Sequence, residues 1–406
     1  MRPGVHRCFS APYSALRYNY SLTMTLGVYI QVPFCQTKCT YCNFHTGVVS
    51  PDRFEPYADA VCHEIGGTAT AHGLPVDTVY FGGGTPSLLN PATLGRIIES
   101  LRRCYPFDQA EITLEADPET ITAEKARAWS AAGFNRISLG AQSFCDTELQ
   151  AAGRMHRRAD ILQATEFLRV AGFDNVSIDL IAGLAHQSRE SWENSVTELL
   201  QIRPEHISIY MLEIDEGSRL GKESLAGGNR YSAEKIPADD DIAAFYESAC
   251  ARLASAGYEH YEISNWAKAD RRSKHNQKYW RREPYLGFGA GAHSFDGTTR
   301  WANIHDSARY VACIEQGISP REQIETVTSV RALEEEFFLG LRQVEGIDLE
   351  RIEFTYGETQ QERVADLRSR INGLRSQGLV ELDGGRLRLA PDRLTTSNEV
   401  FVELLG

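Results

Sequence analysis

Residues 29 to 44 read Tyr29-Ile-Gln-Val-Pro-Phe-Cys35-Gln-Thr-Lys-Cys39-Thr-Tyr-Cys42-Asn-Phe44. Three cysteines follow one short strand-like run, with three and then two residues between them. Thiolate is the soft ligand that iron–sulfur clusters take, and a [4Fe–4S] cubane ordinarily uses four of them. This loop offers three, which leaves one iron open to a small ligand or to chemistry. Two other readings use the same residues. Cys39 and Cys42 form a C-x-x-C, the spacing of a redox dithiol, and His45 would complete a Cys₃His zinc site. A dithiol leaves Cys35 unexplained and zinc does not, so the loop alone favours the cluster without deciding it.

Around this loop the pattern is repetitive. Short β-branched runs at 28–32, 78–81, 111–114, 136–139, 176–180 and 206–210 alternate with amphipathic stretches at 54–69, 94–103, 123–131, 161–170 and 191–200. Apolar strands alternating with helices predict a parallel sheet covered by helices. About six such units without a dinucleotide fingerprint suit an α/β fold of the partial (β/α)₆ barrel type better than a Rossmann sheet. The rhythm changes after Asp215, and a helix is expected at 242–256. From about residue 319 the chain reads as mostly helical, with helices at 331–341 and 362–376. A hairpin follows, turning at Asp383-Gly384, and the sum suggests a small winged-helix-like C-terminal domain. The expected boundaries are an extension over 1–24, the barrel over 25–230, a barrel extension over 231–318 and the C-terminal domain over 319–406.

Composition narrows the partners. The 406 residues carry a formal net charge of −13, which argues against a nucleic-acid ligand, since phosphate binding needs a basic face. Nine cysteines is an odd count, and the six outside the loop lack paired spacing, so they read as small buried hydrophobes of a reducing, cytoplasmic compartment. No run approaches the roughly 18 apolar residues of a membrane-spanning helix. Residues 1 to 51 contain no Asp or Glu. Such a leader reads either as a mitochondrial transit peptide or as an over-extended start ahead of Met24, and the acid-free run favours the second because it also covers the cysteine loop.

Barrel chemistry sits in the loops after the strands. The second strand ends in Gly82-Gly83-Gly84-Thr85-Pro86, where glycines let backbone approach a ligand. The third ends in Glu115-Ala-Asp117-Pro, the fourth in Gly140-Ala-Gln142-Ser143-Phe144, and Gly153-Arg154-Met-His156 follows. Asp179 ends the fifth strand in Ser177-Ile-Asp179-Leu-Ile. Each alone has a structural reading, since an Asp at a strand end often caps the next helix. Polar residues at successive strand ends would face one cavity.

These strings together resemble the radical SAM superfamily and, more closely, the oxygen-independent coproporphyrinogen III oxidase family. Within it they are similar to the heme chaperone branch, HemW. The resemblance runs from about Met24 to Gly406. It implies a [4Fe–4S] cluster on Cys35, Cys39 and Cys42 with S-adenosylmethionine (SAM) on the open iron. By the same resemblance Tyr29, Gly83 and Glu115 match positions that contact this SAM. Tyr41, Gly84, Thr85, Gln142, Arg154 and Asp179 match contacts to a second SAM in the oxidases, and Arg154 suits a propionate or a structural carboxylate equally. The oxidases carry a further cysteine two residues after the third, where this chain has Phe44, and a long N-terminal segment expected to be missing here. Residues 275 to 280, His275-Asn-Gln-Lys-Tyr279-Trp280, match the H-N-x-x-Y-W motif associated with heme in the chaperone branch. His275 offers an imidazole, and Tyr279 and Trp280 offer flat faces to a macrocycle. A His with two aromatics is also ordinary packing, and His293 is a second candidate ligand. The resemblance thus implies a heme carrier, monomeric or dimeric, that serves a heme-accepting protein and is not primarily an enzyme. The alternatives are oxidative decarboxylation of a porphyrinogen and heme breakdown by radical methyl transfer.

Overall fold

The computed structural model describes residues 24–68 and 73–406; residues 1–23 of the expected extension lie outside the described residues. Six parallel strands form the wall of the barrel: β1 (Leu26–Val32), β2 (Val76–Gly83), β3 (Phe107–Ala116), β4 (Arg136–Gln142), β5 (Val176–Ala182) and β6 (His206–Met211). Helices α1 (Phe54–Thr68), α2 (Pro91–Cys104), α3 (Ala123–Ala132), α4 (Asp146–Ala151), α5 (Arg158–Val170) and α6 (Arg189–Ile202) connect them. Asn90 caps α2 by accepting the amide of Ala92, and Thr122 caps α3 through Lys125. Gly133 ends α3 in a left-handed conformation that a side chain would strain.

The strands are not the continuous apolar runs that the parallel-sheet reading implied. They alternate. Val79 and Phe81, Ile112 and Leu114, Ile137 and Leu139, Ile178 and Leu180, Ile207 and Ile209 are buried in the main apolar core with the helices. Their neighbours Thr78, Glu111, Thr113, Arg136, Ser138, Ser177, His206 and Ser208 are buried too, but polar. With period-2 geometry these residues face the barrel axis. Hydrogen-bonding side chains therefore fill the interior of this partial barrel.

Six more strands, unexpected from the sequence, extend both edges of the sheet. Beyond β6 lie β8 (Asn265–Ala267) and β7 (Glu259–Glu262); beyond β1 lie β9 (Tyr285–Phe288), β10 (His293–Phe295), β11 (Thr299–Asn303) and β12 (Arg321–Thr326). Most have three to five residues, too few to show a period. β12 falls where the chain was read as helical. Helices α7 (Arg219–Leu225) and α8 (Asp239–Ser255) precede β7. Helix α9 (Lys274–Trp280) carries the chain from the β6 edge to the β1 edge, and α10 (Ser307–Glu315) packs on α1.

A second apolar core joins α11 (Ser329–Gly340), α12 (Leu349–Tyr356), α13 (Gln361–Ser376) and α14 (Ser397–Leu405) to a three-stranded sheet, β13 (Ile347–Asp348), β14 (Val380–Asp383) and β15 (Arg386–Leu389). The hairpin turns at Gly384 and Gly385, both with positive φ, as a two-residue turn requires. This unit docks through Glu262, fully buried and paired with Arg342 at 2.7 Å, and through Arg282 on α9's trailing turn, 2.9 Å from Glu335. It therefore stands behind α9, at the end of the barrel opposite the cysteine loop.

Candidate functional site

The loop after β1 closes on itself. Cys35 N–H donates to Gly47 O at 3.1 Å and Gly47 N–H to Pro33 O at 2.9 Å. Its far side is tied down where Thr40 N–H reaches Ala152 O and Leu220 N–H reaches Thr40 O. Cys35, Cys39 and Cys42 are half-buried free thiols on the wall of one cavity of about 720 Å³. Burial pushes the Cys35 and Cys42 thiols up, so taking up metal as thiolate would release protons. No three His, Cys, Asp or Glu side chains among the described residues converge closely enough for a single metal ion. His45, the fourth ligand of the zinc reading, instead packs in a tilted arrangement against His305, ring centroids 4.2 Å apart.

The glycines after β2 fit this loop to the barrel. Gly84 N–H donates to Val32 O at 2.8 Å, and a Cβ on Gly84 would stand 2.5 Å from Phe34 O and 2.8 Å from Val32 O. Gly83 has φ of 107°, and a Cβ there would strike Gln31. Gly84→Ala must therefore push the cysteine loop away. We expect roughly 1 to 3 kcal/mol of destabilisation. Thermal unfolding and the iron retained after reconstitution check it.

Opposite the thiols, Glu115 accepts hydrogen bonds from Tyr80 Oη at 2.8 Å and Gly83 N–H at 3.1 Å. Burial, opposed by these bonds and reinforced by nearby Asp179, raises its carboxyl to about 7. Asp179 is also pushed up by burial, and it accepts from Ser138 and Ser177 at 3.3 and 3.4 Å. Gln142 sits at φ of 64°, unusual for a residue with a side chain, and its buried Oε1 has no protein partner. Asp117 is the residue that sequence reasoning missed. It accepts from Thr85 Oγ1 at 3.0 Å and pairs with Arg154, which also donates to Gly140 O at 2.8 Å and to Cys39 Sγ at 3.4 Å. Two residues past Glu115 at a strand end, Asp117 had a visible signal in its position. The tyrosine Tyr41 completes the wall, its hydroxyl held neutral by burial and by Cys39.

The donor set fits an iron–sulfur cluster with a polar co-ligand: three thiols, an orphaned amide oxygen and two carboxyls short of cations share one cavity. A model for the radical SAM superfamily matches residues 29–199, and one for the HemN C-terminal domain matches 327–392. The chain is 33% identical over 381 residues to the heme chaperone HemW of Bacillus subtilis, covering 93% of this chain and 98% of that one. It is 35% identical to the heme chaperone HemW of Synechocystis, over 80% of this chain and 79% of the relative. The chain belongs to the HemW family. Its fold superposes on coproporphyrinogen III oxidase (HemN) of Escherichia coli, a radical SAM enzyme, with a TM-score of 0.81 at 23% identity, over 94% of this chain and 90% of that one.

The structure brings together at the cavity Cys35, Cys39, Cys42, Tyr41, Gly83, Gly84, Thr85, Glu115, Gln142, Arg154 and Asp179. It does not bring Tyr29, His275, Tyr279 or Trp280 there. Tyr29 lies one layer deeper, its ring 6.1 Å from Tyr80 and its hydroxyl under Gly82. The H-N-x-x-Y-W segment of this HemW relative is helix α9, which plugs the barrel floor. His275 Nδ1 bonds Thr78 Oγ1 at 2.9 Å and Nε2 bonds Tyr279 Oη at 2.8 Å, with only 1% of the residue exposed. Glu111 accepts the N–H groups of Lys274 and His275, and buried Lys278 is held by Asp77 and Glu283 at 2.9 and 3.0 Å. Trp280 packs edge-on against Tyr261. Both His275 ring nitrogens are hydrogen-bonded in this arrangement, while Tyr279 and Trp280 beside it are partly exposed. Spacing showed the residue types, but only packing shows that the His275 ring faces inward.

Proposed function

We propose that this chain binds heme and passes it to an acceptor protein, with a [4Fe–4S] cluster on Cys35, Cys39 and Cys42 and SAM on the open iron. The observation that carries the cofactor part is the single cavity that three thiols share with Glu115, Asp179, Arg154 and Gln142. The heme part is supported by membership of the HemW family and by Phe44 standing where the oxidases have a further cysteine. When bound, a cluster with SAM supplies one-electron chemistry. The chain's own residues receive and orient the co-ligand. Glu115 takes an ammonium group or ribose hydroxyls, Gly83 and Gln142 offer backbone and amide partners, and Arg154 holds positive charge against Cys39. Asp117 positions Arg154. No described helix is long and apolar enough to cross a membrane. A cytoplasmic setting is our reading of the unpaired cysteines.

The pH response tests Glu115. Its carboxyl is raised to about 7 from 4.5, so above 7 the ionised form is held at a cost that acidification relieves between 7 and 4.5. A cationic ligand needs that ionised form. SAM affinity, measured by equilibrium dialysis on the reconstituted protein, falls about tenfold per pH unit below 7 in wild type. Glu115→Gln binds more weakly and without this slope. An unchanged slope in the variant would remove Glu115 from the ammonium site.

An anaerobic hemin titration of the cluster-reconstituted protein tests the function, with a saturable stoichiometric endpoint expected. The fold shared with the E. coli oxidase supports a second reading, radical decarboxylation of a porphyrinogen. Coproporphyrinogen III supplied with SAM and reductant should yield no vinyl product, and turnover would replace the carrier reading.

A further inference from the structure

We propose that Ser177, His206 and Tyr261 are positioning residues that couple occupancy of the cavity at Asp179 to the packing of helix α9 on the barrel floor. This rests on the reading of the cavity as a SAM site and names a consequence of filling it.

The barrel interior holds one unbroken line of hydrogen bonds between its two ends. Asp179, on the cavity wall, accepts from Ser177 Oγ at 3.4 Å. Ser177 Oγ lies 2.8 Å from His206 Nδ1, and His206 Nε2 lies 2.6 Å from Tyr261 Oη. Tyr261 Oη accepts the N–H of Ser273 at 3.1 Å. Ser273 caps α9, its own Oγ accepting the Asn276 N–H at 3.4 Å. Strand register makes the first links, since Ser177 pairs with His206 across β5 and β6. Ser177, His206, Tyr261 and Ser273 are each no more than 3% exposed, so bulk water does not stand in for a missing partner.

Donor and acceptor rules give this line two proton arrangements. The Ser273 amide can only donate. With Asp179 ionised, every hydrogen points toward it: Ser273 N–H to Tyr261, Tyr261 O–H to His206 Nε2, His206 Nδ1–H to Ser177, Ser177 O–H to the carboxylate. Each bond polarises the next, and no donor is left idle. With the carboxyl neutral and its proton turned toward Ser177, the middle of the line reverses. His206 then carries its proton on Nε2 and donates to Tyr261 Oη. That oxygen must serve two donors, while its own O–H loses its acceptor in the line, which is unfavourable for a buried hydroxyl. Burial pushes the Asp179 carboxyl up, and a cation in the cavity restores the ionised form. SAM brings an ammonium and a sulfonium. Filling the cavity therefore selects the arrangement that holds the start of α9 most firmly.

The floor end is built to respond. Helix α9 has seven residues, and a helix of two turns depends on its contacts more than on its own hydrogen bonds. It carries His275, Tyr279 and Trp280, so the line reaches from the cavity to the H-N-x-x-Y-W segment.

Hydrogen–deuterium exchange read by mass spectrometry on the cluster-reconstituted full chain, with and without saturating SAM, tests the coupling. Equilibrium dialysis shows separately that SAM is bound, and circular dichroism that each variant is folded. In wild type, SAM should slow exchange of the amides of residues 273–280 by about threefold or more. Tyr261→Phe keeps the ring and removes only the hydroxyl. Ser177→Ala cuts the line midway and keeps the bond between Tyr261 and Ser273. Tyr261→Phe should exchange faster in α9 with or without SAM, Ser177→Ala should start near wild type, and neither should respond to SAM. A merely structural role would raise the baseline and leave the response to SAM in place. Bound SAM that leaves α9 unchanged in wild type, or that protects it in either variant as in wild type, would overturn the coupling while the cofactor reading stands. A chain that binds no SAM would overturn both.

Discussion

Changing any one of Cys35, Cys39 or Cys42 to serine abolishes a stable cluster, taking reconstituted iron from about four atoms per chain to near none. The reason is geometric as well as chemical. The three thiols come from one loop pinned at Cys35–Gly47 and Thr40–Ala152, so no neighbouring residue can move in to replace a lost ligand. The other five described cysteines, Cys62, Cys104, Cys145, Cys250 and Cys313, do not line this cavity. Because the loop's backbone bonds do not involve sulfur as donor or main acceptor, the serine variants should keep their far-ultraviolet circular dichroism. Iron and sulfide analysis, with the cluster's visible absorbance, measures the effect. A serine variant that retained a full cluster would return the loop to the dithiol or zinc reading.

His275→Ala gives the second large effect, on stability. The deletion leaves a void under Tyr80, whose ring stacks on the imidazole at 5.2 Å, and strips partners from Thr78 Oγ1 and Tyr279 Oη. Cavity and orphaned hydroxyls together cost roughly 3 to 5 kcal/mol. Denaturant unfolding of the two proteins measures it, and a loss under about 1 kcal/mol would mean that α9 is no plug. The pH dependence has a definite sign. Burial, with Lys278 and Arg136 close by, lowers the His275 imidazole to about 3 from 6.5. The unfolded chain takes up a proton below 6.5 that the folded ring refuses, so this group's contribution is present above 6.5 and is lost as pH falls toward 3. The gap between wild type and His275→Ala therefore narrows on acidification. Comparing the two proteins cancels the opposite trend from Glu111, Glu115 and Asp179, whose raised carboxyls favour acid.

How far the sequence could be read depended on how local each signal was. The barrel strands were found to within a few residues because each β-branched run is followed by a helix of full length, and the two periods separate cleanly. Strands β7 to β12 were missed because runs of three to six residues carry no period and draw their stability from the sheet edge they join. At the site, the strand-end residues were legible because a barrel sends every such position to one mouth. Asp117 was passed over because its work, holding Arg154 against Cys39, is a contact between β3 and the segment after α4. Tyr29's depth, beside Tyr80 and below Gly82, was not legible, since a motif match gives a residue's strand but not its position along the barrel axis.

The sequence by itself determined the three-thiol loop, the repeating barrel and the ring of polar residues at its mouth, because spacing and period are properties of the chain alone. Tertiary structure decided which way the histidines face. His275 sits in a helix whose fate depends on closing the gap between β6 and β1, and there its ring is buried between Thr78 and Tyr279. His45 and His305, far apart along the chain, meet with rings 4.2 Å apart only because the end of β11 returns to the cysteine loop. Spacing carries no record of such a meeting; backbone pairing between distant strands creates it.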